Sequence, residues 1–400
     1  MDAHDVDWLR SDHGARALAR AAEGVASGLT ELAILDRLRR DLTPEQARAV
    51  LALIEGRRSA ATKFADAGAL FFDRESAEQA TAEAVARHTA ARFAGATRIA
   101  DLGCGAGGDA LALAAHAPVI AVDRDPSRLA LVAANAHVRA LPIEVAEASV
   151  EAFVLPGDVD AAWLDPARRG DSGRVRDPEQ WSPPLSVAVA IASALPRAGI
   201  KVAPGIDLAA VPAGCEIEFI SHEGTLVEAV LWFGAAVTAP RRATVLAAGL
   251  DGAASLAGAP DTGATPIRAP GRTLYDLDPS VGRASLVDIV APLLHAWRLD
   301  EHTAYLSGDE ALDNPFARRF RIDSWMPFAE RRLRDALTDL GVTRVEVMRR
   351  ASPVDTNALE TRLNRALASN RSRSGEQRVR TVVLTRMGDA HIALIAERER

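Results

Sequence analysis

The chain has 400 residues, 48% hydrophobic and 25% charged, enough to bury a large core spread over two or three domains. Its longest apolar runs, such as SVAVAIASAL, fall short of the roughly 20 residues a membrane span needs, and the opening MDAHDVDWLRSD has no apolar core, so a cytoplasmic protein without a membrane partner is expected. Cys104 and Cys215 lack Cys or His neighbours at metal spacing, which argues against zinc and a disulfide framework, and the net charge of −7 taken alone argues against nucleic acid.

From Asp7 to about Thr62 apolar residues recur at three and four spacing, and Thr43 caps a helix with Pro44 at its first position; residues 1–62 read as a helical N-terminal unit. SAEQATAEAVARHTAARF, Ser76 to Phe93, reads as one further helical stretch feeding the strand RIADLG. From Arg98 short apolar strands alternate with helices, the rhythm of a parallel sheet covered on both faces, over a domain set at 63–250. CEIEFISHEGTLVEAVLWFG breaks that rhythm with two strand-like runs about a tight turn, an antiparallel hairpin closing the sheet. Residues 251–325 read as a connecting segment that includes part of a substrate cleft, and 326–400 as helix, strand, helix, strand, strand, a small α+β domain. From Ala317 onward there are 18 arginines and no lysines against 11 acids, a balance of +7 that leaves −14 for the rest. Such asymmetry suggests a basic module on an acidic body.

The loop IADLGCGAGGDALALA joins a strand to a helix, and Gly103, Gly105 and Gly108 fit the dinucleotide fingerprint. Asp101 decides against a dinucleotide, because a carboxylate at the strand end repels pyrophosphate. It suits S-adenosylmethionine, which carries an ammonium and a sulfonium for the acid and a carboxylate for the helix N-terminus. Asp123 ends the next strand where it can accept both ribose hydroxyls. The expected cofactor contacts are Asp101, Gly103, Gly105, Gly107, Asp109 and Asp123. Arg124 is either an adenine cover or a solvated arginine, and Glu147 either a contact to the adenine amine or a surface acid. The fold expected is α/β, a Rossmann-like class I methyltransferase sheet.

AAWLDPARR takes the fourth-strand position, whose end faces the transferable methyl group. Enzymes that methylate nitrogens usually carry Asp or Asn, Pro, Pro and an aromatic there; Asp165 and Pro166 fit, whereas Ala167 and Arg168 depart. Asp165, Pro166 and Arg168 are the candidate catalytic residues: Asp165 orients or deprotonates a nucleophile, and Arg168 and Arg169 bind an anionic group. The bland alternative is an Asp–Arg pair that pins the loop. Trp181 either closes on a flat substrate or anchors the core. Tyr275, Asp278, Arg283, His302, Tyr305 and Ser307 either line a cleft or do structural work, such as Asp278-Pro279 capping a helix.

FFDRESAEQATAEAVARHTAARF, ADLGCGAGGDALALA, LDPARR, KVAPGID and GVTRVEVMRRASPVD with VVLTRMGDAHIALIAE resemble a bacterial group of class I S-adenosylmethionine-dependent methyltransferases with a C-terminal THUMP-like domain. The catalytic half is more distantly similar to trimethylguanosine synthases, whose Thr-Pro-Glu helix implies that Gln79 and Thr81 touch the methionine end, with Ala82 in place of the proline. The resemblance implies RNA, tRNA or rRNA, as substrate. The basic tail agrees in sign, with Arg331, Arg332, Arg334, Arg344, Arg349, Arg350, Arg371, Arg373, Arg378 and Arg380 as a phosphate-tracking surface. The rival readings are a methyltransferase for a small molecule or protein, and an RNA-binding protein that keeps a degenerate cofactor pocket. Nothing in the sequence sets the oligomeric state.

Overall fold

The computed structural model describes residues 1–170, 173–175, 177–247, 252–368 and 378–399, the side chains of 169, 170, 173 and 174 excepted. It resolves into two compact units, one of Met1–Glu216 with Ala229–Thr238, the other of Ile217–Glu228 with Ala239–Arg400.

Four helices open the first unit: α1 (Ala3–Arg10), α2 (Asp12–Ala26), α3 (Glu31–Leu38) and α4 (Pro44–Ala60). Each is capped by Asp, Ser or Thr, and Thr43 forms a reciprocal box with Gln46 ahead of Pro44. Their apolar stripes meet in one cluster with Phe64, Leu70 and Phe72. The expected single helix from Ser76 to Phe93 is two, α5 (Arg74–Gln79) and α6 (Glu83–Ala90), because Ala80 and Ala82 are extended. Lys63 explains the break: its Nζ donates to the carbonyls of Ala77 at 2.9 Å, Glu78 at 2.6 Å and Ala80 at 2.7 Å, taking acceptors that a continuous helix needs for itself.

The sheet follows as β1 (Ile99–Leu102), α7 (Gly108–Leu113), β2 (Val119–Asp123), α8 (Pro126–Val138), β3 (Ile143–Glu147), β4 (Ala161–Leu164), the two-residue strands β5 (Arg169–Gly170) and β6 (Gly173–Arg174), α9 (Leu185–Ser193) and β7 (Arg197–Val202). β8 (Glu216–His222) and β9 (Thr225–Gly234) are joined by Glu223 and Gly224, both with left-handed backbone, and β9 runs antiparallel to β7. The order β9-β7-β4-β1-β2-β3 is otherwise parallel, the doubly wound arrangement the alternation predicts.

Register in this sheet is set by size. Asp101, Trp163, Gly199 and Trp232 lie opposite one another on β1, β4, β7 and β9. The rings of Trp163 and Trp232 meet at 5.8 Å across Gly199, where a Cβ would stand 2.7–2.8 Å from ring atoms, and Phe93 packs on both. Because side chains alternate, Asp165 and Lys201, two residues beyond Trp163 and Gly199, lie on the same face one step further along.

The second unit holds β10 (Arg241–Leu246), parallel to β8 and antiparallel to β11 (Ala254–Gly258). Its larger sheet is built from β12 (Thr273–Leu277), β13 (Trp297–Arg298), β14 (Tyr305–Gly308), β15 (Ala317–Pro327), β16 (Arg344–Arg349), β17 (Val379–Met387) and β18 (Ala390–Arg398) in the order β13-β14-β12-β15-β18-β17-β16. The long β15 pairs with β12 through Ala317–Arg321 and with β18 through Phe320–Pro327, so the sheet is continuous across residue 325. α10 (Pro279–Ala284) and α11 (Val287–Leu293) lie between its early strands, while α12 (Glu330–Asp339) and α13 (Thr356–Ala366) bury Leu333, Leu337, Leu359 and Leu363 against the later ones.

Most of the residues left open in this unit bond or pack within it. Tyr275 donates its hydroxyl to the Glu310 carbonyl, Ser307 donates to Thr273, and Asp278 caps α10 through Ser280. Arg283 lies over Phe219, Tyr305 is fully buried under Arg350, and His302 is exposed beside Glu301. Asp276, buried on β12, accepts from both Arg318 and Arg350.

Among the tail arginines, Arg380 is buried on Asp323, Arg349 donates to the carbonyls of Ser352 and Val354, and Arg378 donates to that of Leu340. Arg371 and Arg373 lie outside the described residues. The phosphate-tracking surface expected from composition is therefore narrower among the described residues. Arg331, Arg332 and Arg334 are exposed on the first turns of α12, and Arg344 is exposed at the start of β16. No helix among the described residues is long and apolar enough to cross a membrane.

Candidate active site

A cleft of about 980 Å³ opens at the carboxyl ends of the parallel strands in the first unit, the place an α/β sheet reserves for ligands. Its wall begins with the glycine loop. Gly103 takes φ +84°, and a Cβ there would lie 3.0 Å from the Asp165 carbonyl, so only glycine lets the first and fourth strand ends approach. Gly107, also left-handed, starts α7.

Asp101 sits at the floor, 1% exposed, and neither carboxylate oxygen has a hydrogen-bond partner among the described residues. Burial pushes its carboxyl well above the usual carboxylate range, and the charges of Asp109 and Asp165 add to the push while Lys201 opposes it. An orphaned acid in this position is complementary to a ligand cation.

Asp123 accepts from the backbone of Gly105 at 2.9 Å and of Asp125 at 3.0 Å, which fixes its carboxylate and leaves further lone pairs for a ligand. Thr81, in the break between α5 and α6, donates to Asp109 at 2.8 Å. Lys201, only 8% exposed, donates to Thr81 Oγ1 at 2.6 Å, Asp165 Oδ2 at 3.1 Å and Asp109 Oδ2 at 3.3 Å. Asp165 thus has a lysine partner, whereas the bland alternative read from DPARR paired it with an arginine.

Of the residues singled out from the sequence, Gln79, Thr81, Gly103, Gly105, Asp109, Asp123, Arg124, Asp165, Pro166 and Arg168 all line this cleft. Asp101 lies beneath it, and Gly107 shapes the loop. Glu147 is exposed opposite Asp123 and outside the lining, whose contribution after β3 is Ala148 to Glu151. Trp181 is outside it too. It is 4% exposed with its indole N–H on the Val175 carbonyl at 3.2 Å, so the core-anchoring alternative describes its place, while its neighbour Ser182 reaches the cleft. Arg169 falls in β5, and its side chain lies outside the described residues. Sequence reasoning missed Lys201, Arg128, which donates to Gln79 at 3.1 Å, and Ser149. For Lys201 a signal existed, since 45 of the 47 basic residues are arginine and only Lys63 and Lys201 are not. Among the described residues no cluster of His, Cys, Asp and Glu is arranged to hold a metal ion.

Residues 99–166 match the methyltransferase domain family, 317–398 the THUMP domain-like family, and 2–60 a domain family of unknown function. An uncharacterized S-adenosylmethionine-dependent methyltransferase of Mycobacterium tuberculosis, found in strains CDC 1551 and H37Rv, is 33% identical over 324 residues, 79% of this chain and 85% of that one. The chain belongs to the S-adenosylmethionine-dependent methyltransferases. A crystal structure from Porphyromonas gingivalis W83, whose name places it among the methyltransferases, shares the fold of this methyltransferase with a TM-score of 0.67 at 19% identity, over 90% of this chain and 92% of that one.

The donor set of this class I methyltransferase fits its cofactor. Asp101 would take the ammonium, and Asp123 the ribose. When bound, S-adenosylmethionine supplies a sulfonium methyl group that passes to an acceptor lone pair while sulfur keeps the C–S electron pair and becomes a neutral thioether.

Proposed function

We propose that this methyltransferase acts on structured RNA, tRNA or rRNA, in the cytoplasm. The observation that carries the reading is the likeness of residues 317–398 to THUMP domains, supported by the +7 balance of the same segment and by exposed Arg331, Arg332 and Arg334 on α12. The tail has few aromatics, which favours recognition of a folded RNA by shape and phosphate over stacking on single strands. The chain divides by role: 1–62 supports the cleft from outside, 63–250 holds cofactor and chemistry, 251–325 connects, and 326–400 binds RNA.

In the cleft, Asp101 and the loop of Gly103, Gly105 and Gly107 hold the methionine part, with Asp109, Gln79 and Thr81 beside it. Asp123 holds the ribose, and Arg124 the adenine end. Asp165 accepts a hydrogen bond from the acceptor group, Pro166 stiffens its turn, and Arg168 and Arg169 neutralise a nearby phosphate. Methyl transfer of this kind needs alignment of nucleophile and sulfonium more than strong acid–base help.

Binding of the full chain to total tRNA between about 50 and 200 mM salt tests the reading, because phosphate contacts release counterions and affinity must fall steeply. Changing Arg331, Arg332 and Arg334 together to glutamate is expected to weaken binding and flatten the slope. An association indifferent to salt makes the tail a docking module and the acceptor a small molecule or protein.

A further inference from the structure

A single ammonium is pinned among the carboxylates of the cleft. Lys201 Nζ donates to Thr81, Asp165 and Asp109, three acceptors converging on one point. That geometry suits a tetrahedral ammonium better than the planar fork of arginine, which accounts for lysine here in a chain where 45 of the 47 basic residues are arginine. Lys63, the other lysine, braces the same 77–81 segment from behind through three carbonyls, and burial, then the charge of Lys201, hold its amine below the usual lysine range. The charged groups around Lys201 are Asp101 from β1, Asp109 from α7 and Asp165 from the end of β4, with Asp123 on β2 and Lys63 beyond them.

We propose that Lys201 is a positioning residue whose charge sets how strongly the cleft prefers a sulfonium ligand over the thioether that remains after transfer. This rests on the cleft being the cofactor site and not on the identity of the acceptor. Lys201 bonds Asp109 and Asp165 directly and is felt by Asp101 through its charge, so one ammonium answers three carboxylates at the floor and the balance there favours positive charge. A sulfonium sheds part of its charge on the way to the transition state, so a floor too negative would stabilise the bound cofactor more than the transition state and slow transfer. Lys201 offsets that excess while it aligns Asp165 with Thr81.

S-adenosylmethionine and S-adenosylhomocysteine share ammonium, carboxylate, ribose and adenine, and differ in the methyl group and the charge at sulfur. A residue that only shapes the pocket moves both affinities together; one whose charge is felt at sulfur moves their ratio. Titration calorimetry of the whole chain with each compound at pH 8 reads that ratio. Lys201→Met is expected to raise the preference for S-adenosylmethionine roughly tenfold over the parent protein, the scale of a unit charge in a partly buried site. Lys201→Arg is expected to keep the parent ratio even where both affinities fall. Lys201→Gln, read by the same ratio, serves if Lys201→Met does not fold. An unchanged or lowered ratio without the charge, or a raised ratio in Lys201→Arg, overturns the proposal. A parent protein that binds neither compound overturns the cofactor assignment of the cleft and the proposal with it.

Discussion

Asp101→Asn keeps the shape of the strand end and removes its charge, and it should make the ligand-free protein more stable while disabling it. Both oxygens of Asp101 are buried without a partner, and burial, then Asp109 and Asp165, raise its carboxyl far above the unfolded value near 3.9. A group with a raised folded pKa contributes stability that is present below the unfolded pKa and is lost as pH rises through the folded one. At pH 8 the native protein therefore bears the cost of a buried, unsatisfied acid, about 1–3 kcal/mol. The asparagine cannot ionise, so it is spared the part of that cost that comes from a charge buried beside other acids. Each kcal/mol recovered raises the melting temperature by about 2–4 °C in a unit of this size. If Asp101 holds the cofactor's ammonium as proposed, the same substitution removes a charged hydrogen bond of about 1.5–3 kcal/mol, and affinity for S-adenosylmethionine falls roughly ten- to a hundredfold. Scanning calorimetry with and without S-adenosylmethionine, at pH 5 and pH 8, reads both effects. The variant should melt above the parent when ligand-free, more so at pH 8, and gain little from the cofactor. A variant that melts lower than the parent at pH 8, or binds the cofactor equally well, would refute the reasoning.

Gly103→Ala forces an alanine into left-handed backbone, about 1–2 kcal/mol, and presses its Cβ on the Asp165 carbonyl, so cofactor affinity and melting temperature should both fall, as calorimetry would show. Thr81→Val takes an acceptor from Lys201 and a donor from Asp109; S-adenosylmethionine should bind at least several-fold more weakly in titration while the helical unit melts as before. In the second unit, Arg350→Met leaves buried Asp276 on Arg318 alone and should cost about 2 kcal/mol in urea unfolding without altering cofactor affinity.

The glycine loop, the acids that end β1, β2 and β4 and the closing antiparallel strand were legible because each is written in a short local spacing. Lys201 was not, because only the row of Trp163, Gly199 and Trp232 across three strands brings it beside Asp165. The break at Thr81 was hidden for a related reason: its flanking alanines are good helix formers, and what opens the helix is Lys63 from a distant stretch. Trp181, Tyr275 and Ser307 look chemically promising in a sequence, yet each hydrogen-bonds to a nearby backbone carbonyl and packs inward. Composition counted the tail arginines without telling exposed Arg331 from buried Arg380, a difference made by Asp323 on β15.

The most direct test is transfer of labelled methyl from S-adenosylmethionine to total RNA, protein extract and a small-metabolite pool, each as a separate acceptor, with Asp165→Ala beside the parent protein. The account predicts label in RNA that disappears with Asp165→Ala. Label in another pool, or label in RNA that survives the loss of Asp165, would contradict it.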